Sequence, residues 1–156
     1  MDERQARDGS EFDVAIVGAG PIGIELAVAL RHANVTHALI DAGNIGSTFM
    51  WWAPGTRFFS SPERIALAGV PLVTMNQDKA TREEYLTYLR GVVQQFDLQV
   101  MSGTRVARIE RPGNQFGLVT DSGTQDVRAS RIVLAIGNMH RPRLIDVPGE
   151  LSLIHI

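Results

Sequence analysis

Three glycines in the N-terminal quarter of the chain have the spacing that lets a backbone bind a pyrophosphate. They lie in the segment Gly18-Ala19-Gly20-Pro21-Ile22-Gly23. The first glycine permits a tight turn, the second allows the backbone to approach phosphate oxygens, and the third lets a helix lie close to a strand. The N-terminus of that helix would direct N–H groups and the positive end of its dipole at the phosphates. This pattern predicts a dinucleotide-binding turn.

The elements needed to position this turn are found on both sides of it. Residues 13–17 (DVAIV) predict a short buried strand, and an apolar helix is expected from Pro21 to about Ala33. A second strand, His37 to Ile40, ends on Asp41. A carboxylate at this position can accept hydrogen bonds from ribose hydroxyls, whereas the alternative is a simple turn residue. The complete strand–turn–helix–strand context favours the ribose role.

The composition excludes several classes of protein. The 156 residues are 44% hydrophobic with a formal net charge of −2, which allows one soluble domain and gives no sign of a nucleic-acid-binding face. The absence of cysteine excludes disulfides and cysteine-based metal or redox sites within these residues, and we expect no metal site. Residues 1–11 are expected to be a disordered leader. Its net acidic character argues against a signal peptide, so we expect a cytoplasmic protein without a membrane partner.

The remaining chain alternates between irregular and periodic segments. The segment from Gly43 to Pro71 has no hydrophobic periodicity and is predicted to be a long functional loop. Its Trp51 and Trp52 could belong to the core or an interface, or contact a cofactor. Thr81 and Glu84 form a capping-box pattern, which predicts the start of a helix. The apolar face of that helix should pack on the sheet, and its members are Tyr85, Leu86, Leu89, Val92, Val93 and Phe96.

Several strands are predicted after this helix. Leu98 to Met101 reads as a short strand, and three alternating segments separated by turn signals suggest an antiparallel meander. The meander segments are Thr104 to Glu110, Gln115 to Thr120 and Thr124 to Ala129. Arg131 to Ile136 reads as a further, separate parallel strand that ends at Gly137.

The order of these parts resembles the two-dinucleotide-binding flavoproteins, a superfamily that includes thioredoxin reductases and flavin-containing monooxygenases. The resemblance rests on the early fingerprint, on Pro21, and on a downstream segment similar to the "ATG…P…PG" crossing. That segment comprises Leu134-Ala135-Ile136-Gly137, Pro142 and Val147-Pro148-Gly149. It implies FAD at the glycine turn and NAD(P)H in a second domain. The implied fold is α/β: a Rossmann-like, three-layer FAD-binding fold with a small antiparallel β-meander, truncated at its C-terminal side.

The resemblance also implies a division of the chain. Residues 12–137 would form an incomplete FAD/NAD(P)-binding Rossmann-type domain, and residues 138–150 a linker toward a missing NAD(P)H domain. Residues 151–156 (LSLIHI) fit nothing in that order. They are also the translation of CTG TCT CTT ATA CAC ATC, a transposon end used as a sequencing adapter. We therefore expect an adapter-derived tail, the alternative being a natural amphipathic ending.

A narrower match is to the YpdA-type bacillithiol disulfide reductase-like group of thioredoxin-reductase-like proteins. One departure from that group concerns mechanism, because its members commonly carry cysteine directly after the glycine-proline pair, where this chain has Ile22. The segments that carry the match are Gly43-Asn44-Ile45, Phe58-Phe59-Ser60-Ser61, Glu63-Arg64-Ile65, Ala68-Gly69-Val70-Pro71 and Thr81-Arg82-Glu83-Glu84-Tyr85-Leu86.

The family's cofactor contacts can be carried over position by position. Gly18, Gly20, Pro21, Ile22 and Gly23 would hold the FAD pyrophosphate, Asp41 the adenosine ribose, and Gly46, Ser47 and Thr48 would lie along the ribityl chain. Phe59 and Ser60 would approach the flavin ring, Val106 would contact adenine through its backbone, and Gly137 would again lie near the cofactor.

The resemblance implies a function for the longer parent protein. This is an NAD(P)H-dependent flavoprotein oxidoreductase, which passes hydride to FAD and electrons to a disulfide or small-molecule acceptor. A homodimer of the parent is one expected assembly. The resemblance names no catalytic side chain, because the cofactor carries the chemistry. A flavin-dependent monooxygenase and a truncated, non-catalytic nucleotide-binding fragment remain as alternatives.

Overall fold

The computed structural model describes residues 11–121, 125–138 and 147–148. Residues 1–10 of the expected leader, most of the expected linker and the six-residue tail lie outside the described residues. Glu11, which the sequence placed in the leader, is the first residue of a strand.

The chain forms six strands and three helices within these ranges, together with a short 3-10 helix at Ser47–Trp51. The strands are β1 (Glu11–Val17), β2 (His37–Ile40), β3 (Val100–Met101), β4 (Val106–Glu110), β5 (Phe116–Thr120) and β6 (Gln125–Leu134). The helices are α1 (Pro21–His32), α2 (Pro62–Ile65) and α3 (Arg82–Gln95). The strand–turn–helix–strand unit predicted around the three glycines is confirmed, whereas α2 and the 3-10 helix were not predicted.

All six strands belong to one sheet in the order β3-β2-β1-β6-β5-β4. β1 pairs in parallel with both β2 and β6, and β2 pairs in parallel with β3. β4, β5 and β6 pair antiparallel, as the meander prediction required. The fold is thus the expected Rossmann-like α/β arrangement with an antiparallel extension.

The prediction of two separate strands around residue 130 is wrong. The structure has one strand, β6, in place of Thr124–Ala129 and Arg131–Ile136, and it ends at Leu134. Ala129 pairs with Phe116 of β5 and with Phe12 of β1, so the ladder continues through the position where the sequence suggested a break. No glycine or proline interrupts this stretch, and a serine alone does not reverse an extended chain.

Alternating side chains place two hydrophobic clusters on opposite faces of the sheet. Ile16 and Leu39 belong to a cluster with residues of α1 and α3, whereas Ala15 and Ala38 belong to another. The second cluster contains residues of the antiparallel extension, namely Leu118, Val127 and Ala129. The helices therefore cover one face and the meander covers the other, which confirms the three layers.

The start of α3 has the predicted capping box. The Thr81 hydroxyl accepts a hydrogen bond from the Glu84 backbone N–H at 3.2 Å, and the Glu84 carboxylate accepts one from the Thr81 N–H at 2.7 Å. Five residues of the predicted apolar face are buried, namely Tyr85, Leu86, Leu89, Val92 and Val93. This helix is therefore fixed against the sheet in the orientation that the sequence indicated.

An aromatic cluster anchors the long loop to α3. The rings of Phe49, Trp52 and Phe58 pack on one another, and both phenylalanines also contact the ring of Tyr85, with centroid separations of 4.5 to 5.4 Å. Burial raises the pKa of the Tyr85 hydroxyl above its ordinary value, so this group stays neutral. The half-buried Trp52 thus packs in this aromatic cluster, whereas the neighbouring Trp51 is 72% exposed.

No helix among the described residues is long and apolar enough to cross a membrane. The same part of the chain contains no cluster of three or more histidine, aspartate or glutamate side chains that could hold a metal ion.

Candidate dinucleotide site

Two of the three glycines in the turn are required by backbone packing. Gly18 has a φ of +115°, and a Cβ there would overlap the carbonyl oxygen of Ala135, which follows β6. A Cβ on Gly23, in the first turn of α1, would overlap the carbonyl oxygen of Gly18. Both glycines therefore bring strand, turn and helix closer together than any side chain would permit.

The middle glycine has a different environment. Gly20 is the N-cap of α1, with φ −81° and ψ −176°, a conformation that any L-residue can adopt. A Cβ on Gly20 would meet no protein atom within 4 Å. The missing side chain therefore leaves open space directly in front of the helix N-terminus.

The N-terminus of α1 suits a phosphate group. No side chain caps the helix, and Pro21 at its first position removes one N–H that would otherwise need a partner. The N–H groups of Ile22 and Gly23 follow in the first turn, where a helix has no internal acceptors for them. Together with the open space at Gly20, these donors fit a pyrophosphate.

Asp41 lies at the carboxyl end of β2 and contacts two loops. Its Oδ2 accepts a hydrogen bond from the backbone N–H of Ala19 at 2.7 Å. Its Oδ1 accepts from the N–H of Gly43 at 2.8 Å and from the hydroxyl of Ser47 at 3.3 Å. The predicted ribose ligand therefore also joins the glycine turn to the loop after β2.

Gly46 forms a second connection between these loops. Its N–H donates to the carbonyl oxygen of Ala19 at 3.0 Å. With φ +67°, it is left-handed, and a Cβ would lie 2.9 Å from Leu89 Cδ1 and 3.0 Å from Leu86 Cδ2 of α3. Gly46 and Ser47 are thus connected to the turn, and half-buried Thr48 follows them in the 3-10 helix. Their predicted position along the ribityl chain stays a prediction.

The start of β4 is held beside the same edge of the sheet. The N–H of Thr104 donates to the carbonyl oxygen of Asp41 at 2.9 Å, and the N–H of Gly103 donates to that of Gly43 at 3.0 Å. Val106 begins β4 two residues later. The predicted adenine-contacting residue is therefore near the loop that carries the predicted ribose ligand.

The remaining predicted contacts are connected to the turn less directly or not at all. Gly137, with φ +66°, is exposed and lies two residues after the Ala135 carbonyl that packs against Gly18. Phe59 is 93% exposed, and its ring lies 4.7 Å from Lys79 Nζ. The structure shows no contact of Phe59 or half-buried Ser60 with the glycine turn, so a role at a flavin ring stays a prediction.

Sequence reasoning missed two residues of the site. Ala19 is 0% exposed, and both its N–H and its carbonyl are hydrogen-bonded to the loop after β2. Ala135 provides the backbone against which Gly18 packs. Both roles use backbone atoms, and the only signal in the sequence was a small residue within two positions of a glycine.

Ile22 is the departure that bears most on chemistry. It occupies the second helical position of α1 and is 70% exposed, beside the open space at Gly20. An apolar side chain at this place supplies no nucleophile and no redox group. Within the described part of the chain, this position therefore provides no reactive group for chemistry at the turn.

A family model described as "Pyridine nucleotide-disulphide oxidoreductase" matches residues 15–156. Among curated proteins, Bacilliredoxin reductase Bdr of Bacillus subtilis is 27% identical over 135 residues, which are 86% of this chain and 41% of that relative. Bacillithiol Disulfide Reductase Bdr (YpdA) from Bacillus cereus is a similar solved structure. It has a TM-score of 0.81 and 31% identity, over 90% of this chain and 44% of that one.

Other similar structures come from a different class of flavoprotein. An oxidized steroid monooxygenase bound to NADP has a TM-score of 0.74 at 27% identity, covering 86% of this chain and 28% of the other. The OTEMO complex with FAD and NADP has a TM-score of 0.72 at 24% identity, covering 88% and 28%, and shows the shared fold.

The chain thus spans less than half the length of each of these relatives, including 41% of the curated reductase and 28% of the steroid monooxygenase. The family match covers the glycine turn from Gly18 to Gly23, Asp41 and the whole sheet beyond the first residues of β1. The chain belongs to the pyridine nucleotide-disulphide oxidoreductase family.

Proposed function

We propose that this chain is the FAD-binding part of an NAD(P)H-dependent flavoprotein oxidoreductase. The single observation that carries the proposal is the open space at Gly20 in front of an uncapped helix N-terminus. It lies between two glycines whose backbones approach each other too closely for a side chain. A dinucleotide pyrophosphate has the negative charge that the helix N-terminus favours.

Different residues would hold different parts of FAD. The N–H groups at the start of α1 would bind the pyrophosphate, and the loop from Gly46 to Thr48 would follow the cofactor toward its flavin end. The start of β4 at Val106 would border the adenosine. FAD would supply the hydride-accepting chemistry when bound, and the described residues would hold it in place and exclude water from the pyrophosphate.

Two observations support FAD as the ligand of this turn. Pro21 directly follows the second glycine of the fingerprint. In addition, the similar OTEMO structure is a complex with both FAD and NADP. NAD(P)H would then bind to a second domain, and residues 138–150 would form the linker to it.

The electron acceptor is proposed as a disulfide or a small molecule. Similarity to the bacillithiol disulfide reductase from Bacillus cereus supports a disulfide. The exposed Ile22 in the fingerprint favours a second candidate, a flavin-dependent monooxygenase, because it offers no thiol to a disulfide substrate. Similarity to the steroid monooxygenase is consistent with that alternative.

Titration of the purified chain with flavins tests the proposal. FAD and FMN share the flavin ring, but only FAD carries the pyrophosphate and adenosine. We expect FAD to bind, ADP to compete with it, and FMN to bind far more weakly, as measured by flavin fluorescence. Equal binding of FAD and FMN, or no binding of either, would contradict a site built on the glycine turn.

The genomic reading frame tests the proposed division of the chain. We propose that residues 151–156 derive from an adapter and that the gene continues differently after Glu150. Resequencing without library adapters should show an open frame that encodes a second glycine fingerprint. A stop codon directly after Ile156 would refute both the adapter origin and the missing domain.

A further inference from the structure

The peptide groups around Ala19 are fixed from both sides by the loop after β2. The Ala19 N–H donates to Asp41 Oδ2 at 2.7 Å, and the Ala19 carbonyl accepts from the Gly46 N–H at 3.0 Å. The preceding residue is also held, because the N–H of Gly18 donates to the carbonyl of Ile40 at 2.6 Å. The end of β2 and its loop thus determine the path of the chain directly before Gly20.

This path determines where the first N–H groups of α1 point. A Cβ on Gly20 would meet no protein atom within 4 Å, so side-chain packing at this position does not fix the turn. A phosphate-binding turn is effective only when its donors are already aimed at the ligand. A bond from an N–H to an ionised carboxylate is also stronger than a bond to a neutral oxygen.

Ser47 supports the same carboxylate. Its hydroxyl donates to Asp41 Oδ1 at 3.3 Å, and the Gly43 N–H donates to the same oxygen at 2.8 Å. Both carboxylate oxygens therefore bind protein donors, one on the glycine turn and the other in the loop. The serine that the family resemblance assigned to the ribityl chain directs its hydroxyl toward Asp41.

We propose that Asp41 is a positioning residue for the pyrophosphate, which acts through Ala19 with support from Ser47. The carboxylate holds the glycine turn in its binding conformation, and part of its contribution to nucleotide affinity does not depend on a bond to the ribose. This rests on the proposed function, since it concerns how that site is assembled. It differs from the ribose role that the spacing of Asp41 predicts.

Hydrogen exchange in the flavin-free chain tests the positioning role without any ligand. Asp41→Asn keeps the shape of the side chain but removes its charge, so we expect the Ala19 amide to exchange about tenfold faster or more. Ser47→Ala should have a smaller effect of the same sign, because its bond is longer. Asp97→Asn is the matched control, since Asp97 is exposed and forms an ion pair with Arg31 away from the turn. Unchanged exchange at Ala19 in Asp41→Asn would overturn the proposal.

Binding of ADP and its 2′-deoxy and 3′-deoxy analogues separates the two roles of Asp41. If the carboxylate positions the turn, Asp41→Asn weakens all three ligands, including the analogue that lacks the hydroxyl bonded to Asp41. If it acts only through the ribose, the loss seen with ADP disappears for that analogue, which would overturn the proposal. If wild type binds no ADP but Asp41→Asn still exchanges faster at Ala19, the proposed cofactor site is refuted, and Asp41 is shown only to order the turn.

Discussion

The three fingerprint glycines differ in what surrounds the missing side chain. At Gly18 and Gly23 a Cβ would overlap backbone carbonyl oxygens, whereas at Gly20 it would meet nothing within 4 Å. The outer glycines are therefore needed for the fold itself. The middle glycine is not needed for packing. We therefore expect the outer glycines of this turn to affect stability and the middle glycine to affect ligand binding.

Substitution of Gly23 should destabilise the protein. The Cβ in Gly23→Ala would overlap the carbonyl oxygen of Gly18, and backbone cannot move aside as a flexible side chain would. We expect the free energy of unfolding to fall by about 1–3 kcal/mol or more, in the range of overpacked sites. Chemical denaturation followed by circular dichroism measures this change.

The matched control for Gly23 is a glycine with free space around it. Gly91 lies within α3, is exposed, and a Cβ there would meet no atom within 4 Å. Gly91→Ala should raise the free energy of unfolding by about 0.5–1 kcal/mol, because alanine favours a helix. Equal effects of the two substitutions would contradict the packing assigned to Gly23.

At the scale of elements, the sequence predicted the parts with strong local signals. The bounds of β2 and the capping box of α3 follow from residues adjacent in the chain, and the structure confirms them. The continuity of β6 could not be predicted in this way, because it depends on Ala129 pairing with strands on both sides. The hydrogen bond between Ala19 and Asp41 could not be predicted either, since it joins a side chain to a backbone N–H 22 residues away.

The capping box makes a measurable contribution to α3. Thr81→Ala removes the acceptor of the Glu84 N–H and should lower the free energy of unfolding by about 1 kcal/mol. Thr87→Ala is the control, because Thr87 is exposed in the interior of the same helix. A loss in Thr87→Ala as large as in Thr81→Ala would show that the cap is not responsible.

The same cap predicts a pH dependence. Hydrogen bonds from the backbone N–H groups of Thr81 and Met75 lower the pKa of Glu84. A carboxylate whose pKa is lower in the folded state stabilises the protein above its unfolded pKa, and this stabilisation is lost as the pH falls through the folded value. The stability difference between wild type and Glu84→Gln should therefore narrow as the pH falls below the ordinary pKa of glutamate. A difference that stays constant across that range would contradict the assignment.

At the scale of the whole molecule, the sheet is paired unevenly. Residues 131–134 of β6 pair with β1, whereas the register with β5 ends at Ala129. Leu134 and Ile136 are 60% and 52% exposed at this end. An exposed, unpaired edge of a strand such as this one can pair with another strand. It is consistent with the proposal that this chain is the first part of a longer flavoprotein.

The central claim is that the glycine turn binds the FAD pyrophosphate, and one comparison tests it most directly. FAD titrations of wild type and Gly20→Ala should give dissociation constants that differ by about ten- to a hundredfold, because the new methyl group occupies the space meant for phosphate. Thermal unfolding of the two flavin-free proteins should be nearly the same, since that methyl group meets no protein atom. Equal FAD affinity in two equally stable proteins would contradict the account.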